Sequence, residues 1–213
     1  MAFLRLDSVH KAYGRKVVLD AVSVEFPVGL TLLTGPSGAG KSTLLRLLAT
    51  AERADRGTIY WDGVALPAAR AALRATLGYA PQAVDLPEDL TAREFGRHIA
   101  ALKGLDLAMS DAQFIGLADA VGLHADVNFR IASFSGGMRR RLIFIQALLG
   151  QPQLLALDEP TAELDIETAR KLGALIVARA KTSAVVMTTH LADELAPLAV
   201  QVLRVDGGKV LPA

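Results

Sequence analysis

Residues 35–43 read GPSGAGKST and come directly after the apolar run LTLL at residues 30–33. The stretch fits the phosphate-loop pattern G-x-x-x-x-G-K-[ST], with a strand expected before it and an apolar helix after it. That order has a chemical reason. Glycines let backbone N–H groups curl around phosphate oxygens, and the helix N-terminus behind them adds partial positive charge. On this reading Gly35, Pro36, Ser37, Gly38, Ala39, Gly40 and Thr43 make the cradle. The ammonium of Lys41 reaches the β- and γ-phosphates, and the hydroxyl of Ser42 takes a Mg²⁺ position.

Around this loop, short apolar or β-branched runs closed by turn residues predict strands over 3–7, 17–26, 58–61 and 77–79, besides 30–34. Further strands are expected over 154–157, 184–188, 200–205 and 209–211, and helices over 41–50, 92–103, 111–121, 137–149 and 167–181. Strands and helices alternate except between about 91 and 121, where helical patterns follow one another. The expectation is an α/β core carrying an inserted helical subdomain. No internal repeat or Ser-rich linker divides the chain, so residues 1–213 are read as one domain. Within it 1–84 and 151–213 form the core, and about 85–150 the helical part.

Composition narrows the classes. At 213 residues and 52% hydrophobic, the chain can bury a sizeable core. A net charge of +1 offers nothing to a polyanion, so no nucleic-acid partner is expected. The absence of cysteine excludes disulfides and thiolate metal sites. The start, MAFLRLDSVHK, has no apolar core of signal-peptide length, and the uncharged stretch 142–157 is too short for a membrane span and is broken by Gly150 and Pro152. A soluble protein is expected, with any membrane role exercised through a partner.

Two further stretches carry chemistry. LLALDEP, residues 154–160, is a buried-strand pattern that ends in two acids. Alternation along a strand sends neighbouring side chains to different sides, so Asp158 and Glu159 can hold different jobs. Asp158 suits Mg²⁺, directly or through water, and Glu159 suits polarising a water that attacks a γ-phosphate. Both acids also suit capping the turn that follows. FSGGMRRR, residues 134–141, opens an apolar helix, so Ser135, Gly136 and Gly137 have the makings of a second anion site. Two phosphate-binding elements in one core suit a nucleotide shared between two subunits. Arg139, Arg140 and Arg141 fan over more than half of the helix circumference and read as a solvated surface or interface feature. His10, His98 and His124 are scattered and match no metal spacing.

Taken in order, these motifs resemble the nucleotide-binding subunit of ATP-binding cassette transporters over essentially the whole chain. GPSGAGKS is similar to that family's Walker A loop, FSGGM to its signature, LLALDEP to its Walker B strand and TAELD, residues 161–165, to its D-loop. Tyr13 in KAYGRKVVL stands where the family stacks an aromatic on adenine, Gln82 in YAPQ matches the Q-loop, and His190 in TTH the switch histidine. Each also has a plainer reading. Tyr13 could cover an edge strand, Gln82 could be a solvated loop residue and His190 could cap the next helix.

The resemblance implies a P-loop core with a mixed, largely parallel sheet, an N-terminal antiparallel β subdomain and a helical subdomain. It implies ATP and Mg²⁺ as ligands and ATP hydrolysis as the activity. Lys41, Glu159 and His190 would act on the γ-phosphate, and Ser42, Gln82 and Asp158 would hold the metal. Two copies, or this chain and another cassette, would close head to tail. Ser135, Gly136, Gly137, Met138 and Asp165 of one would then complete the site of the other. Closure would drive an integral membrane subunit on a separate chain, with the ATPase peripheral on the cytoplasmic face of the cell membrane. Residues 86–105 and 135–165 are similar to the bacterial branch that exports drugs, antibiotics and lipid-linked or polysaccharide cargo. A cassette working without a membrane partner, in DNA repair or translation, is the alternative; such relatives carry coiled-coil insertions, fused cassettes or basic arms, none of which is seen here.

Three positions depart from the family pattern: Met138 for the general glutamine, Glu163 for a small residue and Ile166 for proline. The last two bear on D-loop geometry and hydrolysis rate, not on the fold. The last expected strand runs almost to residue 213, so the C-terminal extension that many relatives carry is not expected here.

Overall fold

The computed structural model describes residues 4–83, 85–189 and 192–213. Phe3, expected to open the first strand, and His190 lie outside them. In chain order the elements are β1 (Leu4–Tyr13), β2 (Lys16–Phe26), β3 (Gly29–Thr34), α1 (Lys41–Leu48), β4 (Arg56–Trp61), β5 (Val64–Ala65), α2 (Arg70–Ala75) and β6 (Leu77–Ala80). The helical stretch follows as α3 (Ala92–Leu102), α4 (Leu107–Ala120) and α5 (Gly136–Leu148). The chain returns to the core through β7 (Leu154–Asp158), α6 (Ile166–Ala180), β8 (Ala184–Thr188), α7 (Ala192–Leu195), β9 (Gln201–Asp206) and β10 (Lys209–Pro212).

Two sheets result. One is antiparallel, in the order β2-β1-β4-β5; the other runs β10-β9-β3-β8-β7-β6, parallel except where β10 pairs antiparallel with β9. This is the α/β architecture with an N-terminal antiparallel β portion and a mixed sheet. The central strands are predominantly apolar because both faces are covered. Their side chains alternate between two cores. Leu30 and Leu32 of β3, Leu155 and Leu157 of β7, and Val185 and Met187 of β8 enter one core with α5 and α6. Leu33, Leu154, Ala156, Ala184 and Val186 enter the other, with the antiparallel sheet and Leu44, Leu45, Leu47 and Leu48 of α1. Full burial of one such leucine is worth about 1.5–3 kcal/mol, so α1 is held by packing rather than by its eight residues' own helicity.

Helix starts are written into the sequence. Thr91 and Glu94 form a reciprocal capping box at α3, and Asp106, Ser135 and Asp165 cap α4, α5 and α6. Asp111 of α4 takes bonds from Arg93 and Arg97 of α3, which hold its carboxyl well below the ordinary range and tie the two helices.

Several boundaries differ from the sequence expectation. β1 runs on past Asp7 to Tyr13, because register shifts beside Ser8 (φ 50°) break the alternation midway. α4 begins at its cap Asp106, a turn earlier than expected. β5, α2 and α7 were not anticipated, being too short for any period to register.

Candidate functional site

The phosphate loop is shaped by two close approaches. Gly35 has φ 123°, and a Cβ there would lie 2.1 Å from the carbonyl oxygen of Val205 on β9. Gly40 has φ 111°, and a Cβ there would lie 2.8 Å from Val18 Cγ1 on β2. Both sheets therefore press on the loop, and only glycine fits. Lys41 folds back over it, its ammonium donating to the carbonyls of Gly35 (2.8 Å) and Pro36 (2.9 Å). Ala39 N–H donates to the same Pro36 carbonyl at 3.3 Å. The loop is thus fixed by its own bonds, and it borders a cleft of about 490 Å³.

That cleft collects most of the expected residues. Gly35, Ser37, Gly38, Gly40, Lys41, Ser42 and Thr43 line it from the loop, Tyr13 and Gln82 from its flanks, and Asp158 and Glu159 from the end of β7. Asp158 is only 5% exposed, and its Oδ1 accepts from Thr188 Oγ1 at 2.7 Å. Glu159 corrects the strand-alternation argument: β7 ends at Asp158, and Glu159 follows in the left-handed region at φ 51°. A turn, not the pleat, separates the two carboxylates. Gln82 Nε2 donates to Glu159 Oε2 at 3.4 Å, which leaves its Oε1 unspent by that contact.

Ser42 hydroxyl, Gln82 amide and Asp158 carboxylate form an oxygen-only donor set, the chemistry of a hard cation. Among the described residues no cluster of three or more His, Cys, Asp or Glu exists to cage a metal alone. The set fits Mg²⁺, which keeps waters and shares its coordination with phosphates.

Tyr13 is anchored rather than loose. Its hydroxyl donates to Glu52 Oε2 (2.5 Å) and accepts from Arg46 Nη2 (3.3 Å), while Lys11 Nζ sits 5.4 Å from the ring centroid. Arg46 also donates to Thr43 Oγ1 (3.1 Å), tying the ring to α1. The aromatic is 44% exposed and borders the cleft.

Other expected residues stand apart. Ser135, Gly136, Gly137, Met138 and Asp165 do not line this cleft. Ser135 accepts from Met138 N–H at 3.3 Å as the cap of α5, with Gly136 exposed beside it. Asp165 caps α6, and the Thr168 N–H holds its carboxyl below the usual range. The three arginines after the SGG turn are not a solvated fan. Arg139 bonds Glu88 and the Phe134 carbonyl; Arg140 bonds the Glu159 carbonyl and Glu163; Arg141 bonds the carbonyls of Val121, Gly122 and Gly137. The sequence reading of these arginines as a surface and interface feature did not anticipate bonds to Glu88, to the turn after β7 and to the end of α4.

Sequence reading missed Lys16, Arg46, Thr188 and Thr189 in the cleft wall. Thr188 had a signal, as the last residue of a buried strand and the first of the TTH triplet. Lys16 and Arg46 had none, since lysine and arginine are common on any surface.

Comparison with known proteins places the chain. Residues 19–162 match the ABC transporter family. A Nod factor export ATP-binding protein I of Paraburkholderia xenovorans (strain LB400) is 35% identical over 217 residues, covering 98% of this chain and 69% of its own length. The solved ATP-binding subunit of an ABC transporter superposes with a TM-score of 0.88 at 26% identity, over 98% of this chain and 88% of that one. A dimeric ATP-binding cassette in a post-hydrolysis state with ADP and Pi gives a TM-score of 0.87 at 23% identity, over 97% and 96%, and shares the fold. With the family's match covering the loop, the SGG turn, Asp158 and Glu159, this chain belongs to the ABC transporter family.

Proposed function

We propose that this chain is the ATP-binding and ATP-hydrolysing subunit of an ABC exporter, and that it powers a membrane subunit carried on another chain. One observation carries the reading. The phosphate loop, Gln82, Asp158 and Glu159 converge on a single cleft, while the SGG turn of α5, a second anion-binding element, lies outside it. Two copies closing head to tail would place each SGG turn over the other's cleft. Dimerisation is in keeping with the neighbour of the same fold whose own structure is dimeric. Export is supported by the relative whose name includes it. No helix among the described residues is long and apolar enough to cross a membrane.

Each residue then has a task. The loop N–H groups and Lys41 hold the β- and γ-phosphates and stabilise charge on the transferring phosphoryl group, with Ser135, Gly136, Gly137 and Met138 of the second copy adding donors. Tyr13 stacks on the base. Ser42, Gln82 and Asp158 would hold Mg²⁺, which when bound neutralises charge on the β,γ-phosphates. Glu159 orients the attacking water, and Asp165 helps seal the interface. His190, outside the described residues, is assigned a γ-phosphate contact. Titration of ATP against Lys41→Ala tests the core of this reading. Affinity should fall by about tenfold or more, as loss of a charge-assisted contact predicts; unchanged affinity would remove the phosphate-loop assignment.

A further inference from the structure

Glu159 and Glu163 both occupy the left-handed region, at φ 51° and 60°, within one short turn after β7. A non-glycine residue there is held by its surroundings rather than by preference. Glu159 is gripped on both sides of its backbone. Its N–H donates to Thr188 Oγ1 at 2.8 Å, and its carbonyl accepts from Ala162 N–H at 3.1 Å and from Arg140 Nη1 at 3.2 Å. Arg140 is a half-buried side chain, only 16% exposed, whose Nη2 also lies 3.4 Å from Glu163 Oε2. A guanidinium offers its donors in a rigid fork, so this one side chain ties two points of the turn to α5. Of the three arginines behind the SGG turn, Arg140 alone reaches it; Arg139 and Arg141 are spent on Glu88, on Phe134, and on carbonyls of the α4 end and α5.

We propose that Arg140, steered by Glu163, is a positioning residue that makes the turn bearing the Glu159 carboxylate follow the SGG end of α5. The coupling rests on the assignment of Glu159 as the water-orienting group and of the SGG turn as a phosphate contact across the dimer. It adds a regulation of that site: a shift of α5 on meeting the partner's nucleotide is passed, through one guanidinium, to the carboxylate of this copy's own cleft. Glu163 is then the second attachment of the fork, which gives a charge a purpose at a position where the family favours a small residue.

The test compares wild type, Arg140→Met, Arg140→Lys, Glu163→Gln and the double variant Arg140→Met/Glu163→Gln. The readouts are kcat and KM for ATP hydrolysis across pH, and ATP affinity by titration. Arg140→Met should lower kcat by about tenfold or more, the scale of a misplaced reacting group, with ATP affinity changed by less than about twofold. Arg140→Lys should recover part of the loss. Glu163→Gln, at a carboxylate 74% exposed, should fold normally and lose about two- to fivefold in kcat alone. The double variant should be no worse than Arg140→Met, because the two act through one contact. Wild-type kcat in Arg140→Met, or multiplying losses in the double variant, would overturn the coupling. Should Arg140→Met not fold, Glu163→Gln decides: wild-type kcat overturns, a kcat-only loss supports. A wild-type protein that binds no ATP overturns the proposed function and the coupling together, whereas a fully active enzyme indifferent to both residues overturns the coupling alone.

Discussion

Gly35 and Gly38 sit in the same loop and differ in what surrounds them. At Gly38 (φ 73°) no atom lies within 4 Å of where a Cβ would go, so alanine meets only the left-handed backbone penalty, about 1–2 kcal/mol. At Gly35 the same substitution also drives a methyl into the Val205 carbonyl 2.1 Å away, and the loop or β9 must move. Urea unfolding should therefore find Gly38→Ala destabilised by about 1 kcal/mol and Gly35→Ala by well over twice that. Equal losses would mean the backbone, not the contact with β9, selects glycine at position 35. The phosphate-loop spacing placed these glycines correctly from sequence. Their division into one packed against a strand and one facing the cleft was not legible, because β9 is some 170 residues further along the chain. The same holds for Thr188 and Arg140, ordinary residue types whose partners are set by the fold.

The buried apolar strands and the starts of α3, α5 and α6 were readable because one local rule decides each: burial on both faces for β3, β7 and β8, and a Thr, Ser or Asp before each of those helices, whereas the cap Asp106 of α4 went unread. The end of α3 hides a property the sequence does not advertise. Lys103 closes that helix with its Nζ donating to the Leu149 carbonyl at 2.9 Å, just past the end of α5, and burial pushes its ammonium down to about 8. A group whose folded pKa lies below its unfolded value binds fewer protons when folded. Its penalty is thus fully present below about pH 8 and is relieved as pH rises toward the ordinary 10.5. Unfolding followed from pH 7.5 to 10 should show wild type gaining on Lys103→Met by roughly 2 kcal/mol, somewhat under the 1.36 kcal/mol per unit limit because the site is partly solvated. Parallel curves for the two proteins would place the Lys103 ammonium in water.

Among the described residues two cores lie on opposite faces of one sheet, and the chemistry is divided in the same way. α1 and the phosphate loop rest on the core shared with the antiparallel sheet, whereas α5, which carries the SGG turn, rests on the core shared with the helical part. One chain therefore presents a cleft with loop, metal-compatible oxygens and Glu159, and a separate helix end with donors but no such cleft. Glu159 is the residue at which this arrangement can be tested, since its amide analogue keeps shape while losing the charge proposed to orient water. Glu159→Gln should lose most turnover, about a hundredfold or more for a removed base, yet still bind Mg·ATP and accumulate as a closed pair. Light scattering on a sizing column should then give monomer mass without nucleotide and twice that mass with Mg·ATP. Linkage makes the shift concentration-dependent, so a dimer that strengthens with protein concentration and dissolves when ATP is removed would identify the shared site. A variant that binds ATP by titration but stays monomeric would assign the second half of the site to a different cassette or to the membrane subunit.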